Sequence, residues 1–481
     1  MIEKRELLRI SQETSLEPHV VEKDYVLGWV LAAINAHDDL SEHWVFKGGT
    51  CLKKCFFETY RFSEDLDFTL AAPEQLDEGF LKKVFSEIGE WIYEQSGIEI
   101  PADKQKFDLY LNPRGRLACQ GKISYKGPVS PTHALPRIKL DLTADERVVL
   151  PPVRVRIYHP YSDAPEAGIH VLAYDYVEAF AEKLRALAER TRPRDLYDVV
   201  TLYRNTELRP DPQRLMEVLR AKCEFKGIGI PRIAALEPHR AEVDAGWMHM
   251  LQHQLPALLP VATFWEALPE IFAWLNGAAS QPLTAMTLGA NDTLIRERTI
   301  AMAAGGVGQG YVEKIRFAAA NRLLVEIEYE DKKGNRSTRA IEAYSLRRSQ
   351  AGDILLMAVR ADTGESRSYL ADRILGVRIT QTPFSPRYPI ELAPFGSQRI
   401  PQLSATSEER FVARRAPPIR RSPPGGGSIA GAGGPTYVFK CPACGKTFNK
   451  KRYETKLNKH KNDGTGYECT GKFGSYAGTK N

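Results

Sequence analysis

The sequence has little of what membrane-embedded and secreted proteins need. No stretch of the 481 residues approaches the roughly 20 consecutive apolar residues of a membrane-spanning helix. The first ten residues, MIEKRELLRI, lack the apolar core of a signal peptide. These two absences argue against a membrane partner and lead us to expect a cytoplasmic protein.

Cysteine is also scarce, which excludes a fold built on disulfides. Of the seven cysteines, four are scattered along the chain: Cys51, Cys55, Cys119 and Cys223. We expect Cys51 and Cys55, four residues apart, to be small buried residues of a helix. The other three cluster near the end of the sequence, which favours a metal site over disulfides: Cys441, Cys444 and Cys469.

Positive charge is concentrated in one short segment. The net charge is +6, and from Tyr437 onward ten Lys/Arg residues outnumber three Asp/Glu residues. The rest of the chain carries one more acidic than basic residue. On charge alone, only this last segment is predicted to attract phosphate groups.

The length and the changes in composition predict several domains. Residues 1–280 have the pattern of a mixed α/β domain, and 281–312, with the breaker cluster GGVGQG, that of a connector. Alternating short strands over 313–394 indicate a small β domain. Residues 395–436 are rich in Pro, Gly, Ser and Arg and predict a flexible linker before a basic module at 437–481.

Periodicity places elements within the first domain. A helical period predicts helices over 20–34, 80–93, 174–189 and 193–204, and a helix that starts at Thr50. Alternation of apolar and polar residues predicts strands over 62–70, 117–125 and 137–143.

The stretch VFKGGTCLKKCFFETYRFSEDLDFTL combines a glycine pair with two carboxylates. Gly48 and Gly49, at a strand-to-helix junction, let an anion approach the amides of a helix start, where Thr50 adds a hydroxyl. Asp65 and Asp67 point to one face of the predicted strand, and their repulsion indicates a cation between them. Because Mg²⁺ prefers oxygen ligands and shares them with substrate phosphates, the pattern predicts metal-assisted nucleotidyl or phosphoryl transfer.

A third carboxylate stands in the strand IKLDL. Asp141 shares a face with Lys139 and Thr143, and an aspartate within an apolar strand is unfavourable unless it is paired or bound. An ordinary solvent-facing residue is the alternative, and for Asp141 alone it is the simpler interpretation.

These residues resemble the signature of the AbiEii/AbiGii toxin family of nucleotidyltransferases. FKGGTCLKKCF followed by RFSEDLDF carries the resemblance, and VEKDYVLGWVL and VEAFAEKLRALAERTRPRDLYDVVTLY agree with it in order. The resemblance spans about 1–280 and implies an α/β (α+β) core with a helical C-terminal part, Mg²⁺, and nucleotide transfer from a nucleoside triphosphate (NTP). It also implies phage defence or a toxin–antitoxin system, with tRNA as one acceptor and a separately encoded antitoxin as a partner.

The resemblance gives roles to individual residues. The glycine turn, Gly48–Thr50, would hold the triphosphate. Three aspartates would bind Mg²⁺: Asp65, Asp67 and Asp141. Asp141 has a second possible role as the base toward the acceptor hydroxyl. Lys183 would contact phosphate, although a lysine at the edge of a buried helix face can also simply snorkel.

Other charged residues near the motif have two interpretations. Arg61 is either a phosphate clamp or a structural partner of Glu64. Of two acids on one predicted helix, we take Asp198 as functional, while Asp195 would cap the helix or pair with Arg194. The lysines around the glycines are expected to form a solvated face: Lys47, Lys53 and Lys54.

The β-rich segment resembles a WYL domain. The matching stretches are IEY, YSLRR, LLMAV, ESRSYLADRI and PFSPRY, but Leu355, Leu356 and Met357 stand where Trp, Tyr and Leu are usual. The resemblance implies a small Sm-like β fold that senses nucleic acid or a nucleotide, with ligand contacts at Tyr344, Arg347, Arg348, Arg367 and Arg373. The alternative is a set of surface arginines paired with acids: Asp353, Asp362, Glu365 and Asp372.

The last segment contains the spacing C-x2-C-x15-H-x8-C. Its four residues are the ligand types of a tetrahedral zinc site: Cys441, Cys444, His460 and Cys469. Zn²⁺ would supply much of the folding energy of this ββα-like module. Basic residues around it favour phosphate contact, among them Lys450, Lys451 and Arg452. Unpaired thiols on a disordered tail, or a zinc finger that binds protein, are the alternatives.

Three functions follow from these patterns. The first is a Mg²⁺-dependent nucleotidyltransferase that moves a nucleotide from an NTP onto RNA, with a tRNA 3′ end as the first candidate, as a toxin or phage-defence effector. The second is a nucleic-acid or nucleotide sensor in which the catalytic core serves as a scaffold. The third keeps the enzyme but makes a protein hydroxyl the acceptor.

Overall fold

The structure is a computed structural model of the chain. It describes residues 1–14, 16–57, 61–130, 134–206, 208–255, 257–278, 283–286, 293–295, 308–392, 436–441, 443–450, 457, 460, 469 and 475–480. These residues fall into two units, 1–419 and 420–481. Among the described residues, no helix is long and apolar enough to cross a membrane.

The first part of the chain is built on one mixed sheet. Its seven described strands are β1 Trp44–Lys47, β2 Asp65–Leu70, β3 Lys106–Leu111, β4 Leu117–Ser124, β5 Arg137–Thr143, β6 Val153–Arg156 and β7 His170–Ala173. Their order is β3-β4-β5-β2-β1-β7-β6. The pairs β2–β5 and β1–β7 are parallel and the others antiparallel.

Helices precede, cover and follow this sheet. Those described are α1 Lys4–Thr14, α2 Pro18–Ala36, α3 Gly48–Cys51, α4 Glu78–Ser96, α5 Tyr176–Arg190, α6 Pro193–Arg204, α7 Pro212–Lys226, α8 Ile233–Leu236, α9 Arg240–Leu251, α10 Val261–Trp265 and α11 Leu268–Leu275. A π-helical turn, Leu52–Phe56, continues α3. The predicted α/β core with a helical C-terminal part is confirmed.

The core lies on one face of the sheet. Strand β2 alternates, so that Leu66, Phe68 and Leu70 are buried while the aspartates between them stay half-buried on the other face. Trp44 of β1 packs against Phe68, and Phe85 of α4 packs against Trp44. Helix α2 is buried on nearly all sides, as its apolar sequence requires. Asp65 and Asp67 therefore lie on the face of β2 that turns away from Leu66 and Phe68.

The prediction that Lys53 and Lys54 form a solvated face is wrong. Lys54 is 1% exposed, and its Nζ lies 2.7 Å from Oδ2 of Asp24 on α2. Tyr161 donates to the same oxygen at 3.0 Å. Burial raises the pKa of Asp24, but the charges of Lys54 and Lys53 outweigh it and lower the pKa to about 2. The lysines turn inward because Asp24, buried in the core, needs a cationic partner.

A second sheet forms the β-rich part. Helix α12, Gly308–Ala320, precedes it, and its described strands are β8 Thr293–Leu294, β9 Leu323–Glu330, β10 Arg336–Arg348, β11 Ile354–Arg360, β12 Ser366–Leu370 and β13 Ile374–Pro383. The antiparallel order is β12-β11-β10-β9-β13, with β8 beside β10. This part packs on the first, since the Tyr197 hydroxyl on α6 donates to Oδ1 of Asn321 at 3.1 Å. The predicted small β domain is present.

The second unit contains a three-stranded antiparallel sheet. Its strands, in the order β15-β14-β16, are β14 Thr436–Lys440, β15 Thr447–Lys450 and β16 Ser475–Lys480. The segment expected to hold the helix of a ββα-like module lies almost entirely outside the described residues. The predicted linker, 395–436, lies outside them as well, apart from Thr436.

Candidate active site

The polar face of the first sheet brings the predicted aspartates together. The parallel register of β2 and β5 sets Asp67 opposite Asp141 and Asp65 opposite Lys139. Asp67 is also paired with Lys47 on β1, and Asp141 with Gln120 on β4. A row of polar side chains therefore crosses four strands, with the carboxylates at its centre. Gln120 Nε2 donates to Asp141 Oδ1 at 3.3 Å.

The carboxylates of this row disfavour each other's charge. Burial, followed by the charges of Asp141 and Asp65, raises the pKa of Asp67 to about 6, although Lys47 and Lys183 oppose the rise. Burial and the Asp65 charge also raise the pKa of Asp141. A cation would relieve this repulsion, and carboxylate oxygens are the donors that Mg²⁺ prefers.

The three aspartates do not by themselves form a closed metal cage. Among the described residues, only the cysteine and histidine cluster near the end of the chain has three or more ligand atoms gathered within 4.8 Å. The aspartates therefore suit Mg²⁺ that completes its coordination with other ligands such as substrate phosphates, as this ion commonly does.

Three side chains lie so close to the backbone of the glycine pair that a Cβ at either position would meet them. Gly48 has φ +80°, and a Cβ there would lie 2.1 Å from Asp67 Oδ2. A Cβ on Gly49 would lie 2.7 Å from Arg61 Nη2 and 3.0 Å from Ser63 Oγ. The turn therefore lies directly against the acidic strand and fixes the position of Asp67.

Thr50 has a different role from the predicted one. Helix α3 begins at Gly48 with Lys47 as its N-cap residue, so Thr50 lies inside the helix and is fully buried. Its hydroxyl donates to the backbone oxygen of Asp65 at 2.5 Å. The Thr50 side chain is thus unavailable to a triphosphate, because it ties the glycine turn to the start of β2.

Asp198 is a buried anchor for two cations. Arg61 Nε and Nη2 donate to its two oxygens at 2.7 and 2.9 Å, and Lys183 Nζ lies 2.8 Å from Oδ2. Burial raises the pKa of Asp198, but the charges of Arg61 and Lys183 outweigh it and hold the pKa far below its ordinary value. With no exposed surface, Asp198 cannot touch a substrate. The prediction that it is catalytic is corrected to a positioning role.

The partners predicted for Arg61 and Asp195 are also corrected. Glu64 pairs with Lys23 at 2.6 Å, which leaves Arg61 to Asp198. Asp195 accepts hydrogen bonds from the guanidinium of Arg190 at 2.8 and 2.9 Å. In both cases the true partner comes from a neighbouring element of the fold.

Arg194 and Lys47 are the site residues that the sequence reasoning missed. The buried Nε of Arg194 has no hydrogen-bond partner among the described residues, and its charge interacts with Asp65 and Asp198. Lys47 belongs to β1, the strand next to the one that carries Asp67, and its Nζ lies 3.6 Å from Glu146 Oε1. Lys47 follows the buried Phe46 in β1, and the antiparallel pairing of β1 with β2 sets it opposite Asp67. The alternation of residues along β1 is the sequence signal that could have identified it.

Comparison with protein families decides the identity of this domain. The family model described as nucleotidyl transferase AbiEii toxin, type IV toxin–antitoxin system, matches residues 29–273. The chain belongs to the AbiEii family. It is therefore a nucleotidyltransferase of this toxin family. A WYL domain model matches residues 310–379.

Solved structures show likeness at low identity. MenT4, a nucleotidyltransferase toxin from Mycobacterium tuberculosis H37Rv, is 18% identical over 58% of this chain and 91% of its own, with a TM-score of 0.40. JHP933 from Helicobacter pylori is 15% identical over 54% of this chain and 93% of its own, with a TM-score of 0.35. Proteasome accessory factor B/C of Arthrobacter aurescens is 15% identical over 43% of this chain and 32% of its own, with a TM-score of 0.15. No curated protein matches the chain.

Tyr344 is an interior residue of the WYL domain and not a stacking surface. It is fully buried, its hydroxyl donates to Glu342 Oε2 at 2.5 Å, and its ring packs on Phe384 and Tyr388. Its predicted role as a ligand contact is therefore corrected. Residues 341–346 of β10 are all buried, so the usual alternation of buried and exposed positions does not apply at Tyr344.

The predicted WYL arginines do not converge on one point. Strand register puts Arg348 and Arg367 on one face of the sheet and Arg347 on the other. Arg347 and Arg367 are paired, with Glu391 at 3.0 Å and Glu365 at 2.8 Å. The remaining two, Arg348 and the half-buried Arg373, have no acidic partner among the residues described. A ligand role for these arginines stays a prediction.

The cysteine and histidine residues of the second unit form a metal-type cluster. One ligand atom from each of Cys441, Cys444, His460 and Cys469 lies within 4.8 Å of the others. Burial raises the pKa of the Cys441 thiol. Hydrogen bonds from the backbone of Cys444 and Ala443 and from the His460 side chain outweigh this effect and lower the pKa to about 6. Thiolates are metal ligands, so the cluster can hold a metal ion.

The basic residues predicted around this cluster are only partly described. Lys450 is the last residue of β15, where it pairs with Tyr437 of β14. Lys451 and Arg452 lie outside the described residues.

Proposed function

We propose that this AbiEii nucleotidyltransferase transfers a nucleotide from an NTP onto RNA, as a toxin or phage-defence effector. One observation carries the proposal. Asp65, Asp67 and Asp141 share one face of two paired strands, directly beside the turn at Gly48. Such a face suits a cation that is shared with the phosphates of a substrate.

The residues have distinct roles in this reaction. The acceptor hydroxyl oxygen attacks the α-phosphorus, the new O–P bond forms, and the bond to pyrophosphate breaks. Asp141, whose pKa is raised by burial, takes the hydroxyl proton. Mg²⁺ bound by Asp65 and Asp67 would neutralise charge on the transferring phosphate. Lys183 and Arg194 bind the triphosphate, and Asp198 holds Lys183 in place.

The appended modules are proposed to supply the acceptor. The proposed domains are the catalytic domain (1–280), a connector (281–312), the WYL domain (313–394), a linker (395–436) and the basic module (437–481). The last module would hold Zn²⁺ on its cysteine and histidine cluster, and its excess of positive charge supports phosphate contact with RNA, first of all tRNA. A separately encoded antitoxin would restrain the activity.

The test is transfer of label from NTPs to RNA. The full chain is incubated with each α-labelled NTP, Mg²⁺ and total tRNA, beside the variants Asp65→Ala and Asp67→Ala. Asp244→Ala, an exposed aspartate on α9, is the matched control. We expect labelled RNA with the parent and the control and at least a hundredfold less with the two site variants.

Two outcomes would contradict the proposal. Label that reaches RNA equally in the site variants excludes this face as the catalytic centre. Label that appears on protein and never on RNA, read by mass spectrometry, replaces RNA with a protein hydroxyl as the acceptor.

A further inference from the structure

A crevice separates helix α6 of the AbiEii domain from the WYL domain. The space between its walls is open to solvent and amounts to about 630 Å³ only when that open part is counted. Thr201 and Arg204 of α6, with Phe57, line one side, and Arg322 and Tyr388 line the other. None of the site aspartates lines it. It is thus a separate cavity from the catalytic face, formed by residues of both domains.

The crevice contains cations without acidic partners. Neither Arg204 nor Arg322 forms an ion pair with any carboxylate that the structure describes. Arg204 donates to Thr263 O at 3.2 Å through Nη2, and its guanidinium lies 5.2 Å from the centre of the Phe264 ring. Its buried Nε has no hydrogen-bond partner among the described residues. Burial and the charge of Arg322 lower the pKa of Arg204 to about 9. The two guanidinium groups are therefore near enough to repel.

One acid acts on this pair from a distance. Glu270 interacts electrostatically with both arginines but forms no ion pair with either among the described residues, and its carboxylate accepts a hydrogen bond from the Tyr203 hydroxyl at 2.8 Å. Asn205 adds another unused donor, because its buried Nδ2 has no partner while its Oδ1 accepts from Leu208 N at 3.4 Å. Two cations and unsatisfied N–H donors around one cavity are the environment that a phosphate group requires.

We propose that this crevice binds a phosphate monoester of nucleotide size. Arg204, Arg322 and Asn205 hold the phosphate, and the apolar walls, which include Phe57 and Tyr388, hold the remainder of the ligand. The site lies outside the catalytic machinery and outside the arginines of the WYL sheet.

The ligand would touch elements that position the catalytic face. Helix α6 carries Asp198 less than two turns before Arg204. Phe57 directly follows the π-helical turn that continues α3, which begins at Gly48. The crevice is therefore next to the same segments that hold Lys183 and the glycine turn.

The probe is AMP, whose binding to the full chain is measured by equilibrium dialysis with divalent metals chelated. Arg322→Gln removes one cation. Asn205→Asp is the second variant, because it keeps the oxygen that accepts from Leu208 N but puts a negative charge toward the phosphate. Arg220→Gln, an exposed arginine of α7 that does not line the crevice, is the matched control.

We expect the parent and Arg220→Gln to bind AMP with equal affinity, and Arg322→Gln and Asn205→Asp to bind it at least tenfold more weakly. Adenosine, which lacks the phosphate, should bind the parent at least tenfold more weakly than AMP. No AMP binding by the parent, or binding unchanged in either crevice variant, overturns the proposal. Tryptophan fluorescence checks that each variant is folded.

Discussion

Replacing Asp67 with asparagine should stabilise the AbiEii domain while abolishing transfer. A carboxyl whose pKa rises from 3.8 to about 6 on folding opposes folding by about 3 kcal/mol at pH 8. Asp67 is only half-buried, and solvent screens part of this effect, so we expect a gain of about 1–3 kcal/mol. The asparagine side chain would keep the shape that fits against Gly48 without the charge.

The gain should depend on pH in a defined direction. Below about pH 3 the carboxyl is largely protonated in both the folded and unfolded states, so the variant should gain little. Between pH 4 and 6 the unfolded state ionises first, and the advantage of the variant should rise, reaching about half near pH 5. Above pH 6 it should be constant.

Urea unfolding followed by tryptophan fluorescence measures this free energy. All six tryptophans lie between residues 29 and 274, so the signal reports on the AbiEii domain alone. Metals are chelated throughout, since a bound cation would remove the repulsion. Asp244→Asn makes the same chemical change on the exposed side of α9 and should leave stability within about 0.5 kcal/mol. A variant at Asp67 no more stable than the parent at pH 8 would refute the repulsion inferred from the strand register.

Three further predictions concern other parts of the chain. Gly49→Ala should lower the free energy of urea unfolding by about 1–3 kcal/mol, because its Cβ meets a guanidinium. Gly229→Ala, with open space around it, should leave that free energy unchanged, and equal effects of the two changes would contradict the close approach at Gly49. Lys54→Met should cost about 3–5 kcal/mol, because it leaves the buried Asp24 with the more distant Lys53, at 4.0 Å, as its cation. Adding Asp24→Asn should recover part of that loss, which a double-mutant cycle measures. Elemental analysis should show that chelation removes one metal ion per chain, and tryptophan fluorescence should not change. If the Cys441→Ser protein retains a full equivalent of metal, the cysteine and histidine cluster is not the metal site.

The sequence carried enough information to predict that the aspartates share a face. The residues of a strand alternate between its faces, so the order Asp65-Leu66-Asp67 by itself predicted two carboxylates on one side. Helix α6 was predicted over 193–204 and is found at Pro193–Arg204. The pairing of β2 with β5 was beyond such reasoning, because register between distant strands is a property of the whole sheet.

The errors share one physical cause. Whether a charged residue is buried depends on a partner that the fold brings from elsewhere, such as Asp24 for Lys54 or Asp198 for Arg61. Local patterns assign lysines to the surface by default, since unpaired burial is costly. The prediction that Tyr344 contacts a ligand was wrong for a related reason, because both faces of β10 are covered at this position.

The contacts of Arg61 also bear on when the enzyme can become active during its synthesis. Arg61 binds Asp198 and Gln254, and the amide of Phe62 donates to the backbone oxygen of Gln254 at 2.8 Å. The residues that buttress the glycine turn are therefore translated long after the turn itself. A nascent chain that has not passed residue 254 lacks these supports, and domains fold as units as they leave the ribosome. An interrupted translation product of this toxin should therefore be harmless to the cell that makes it.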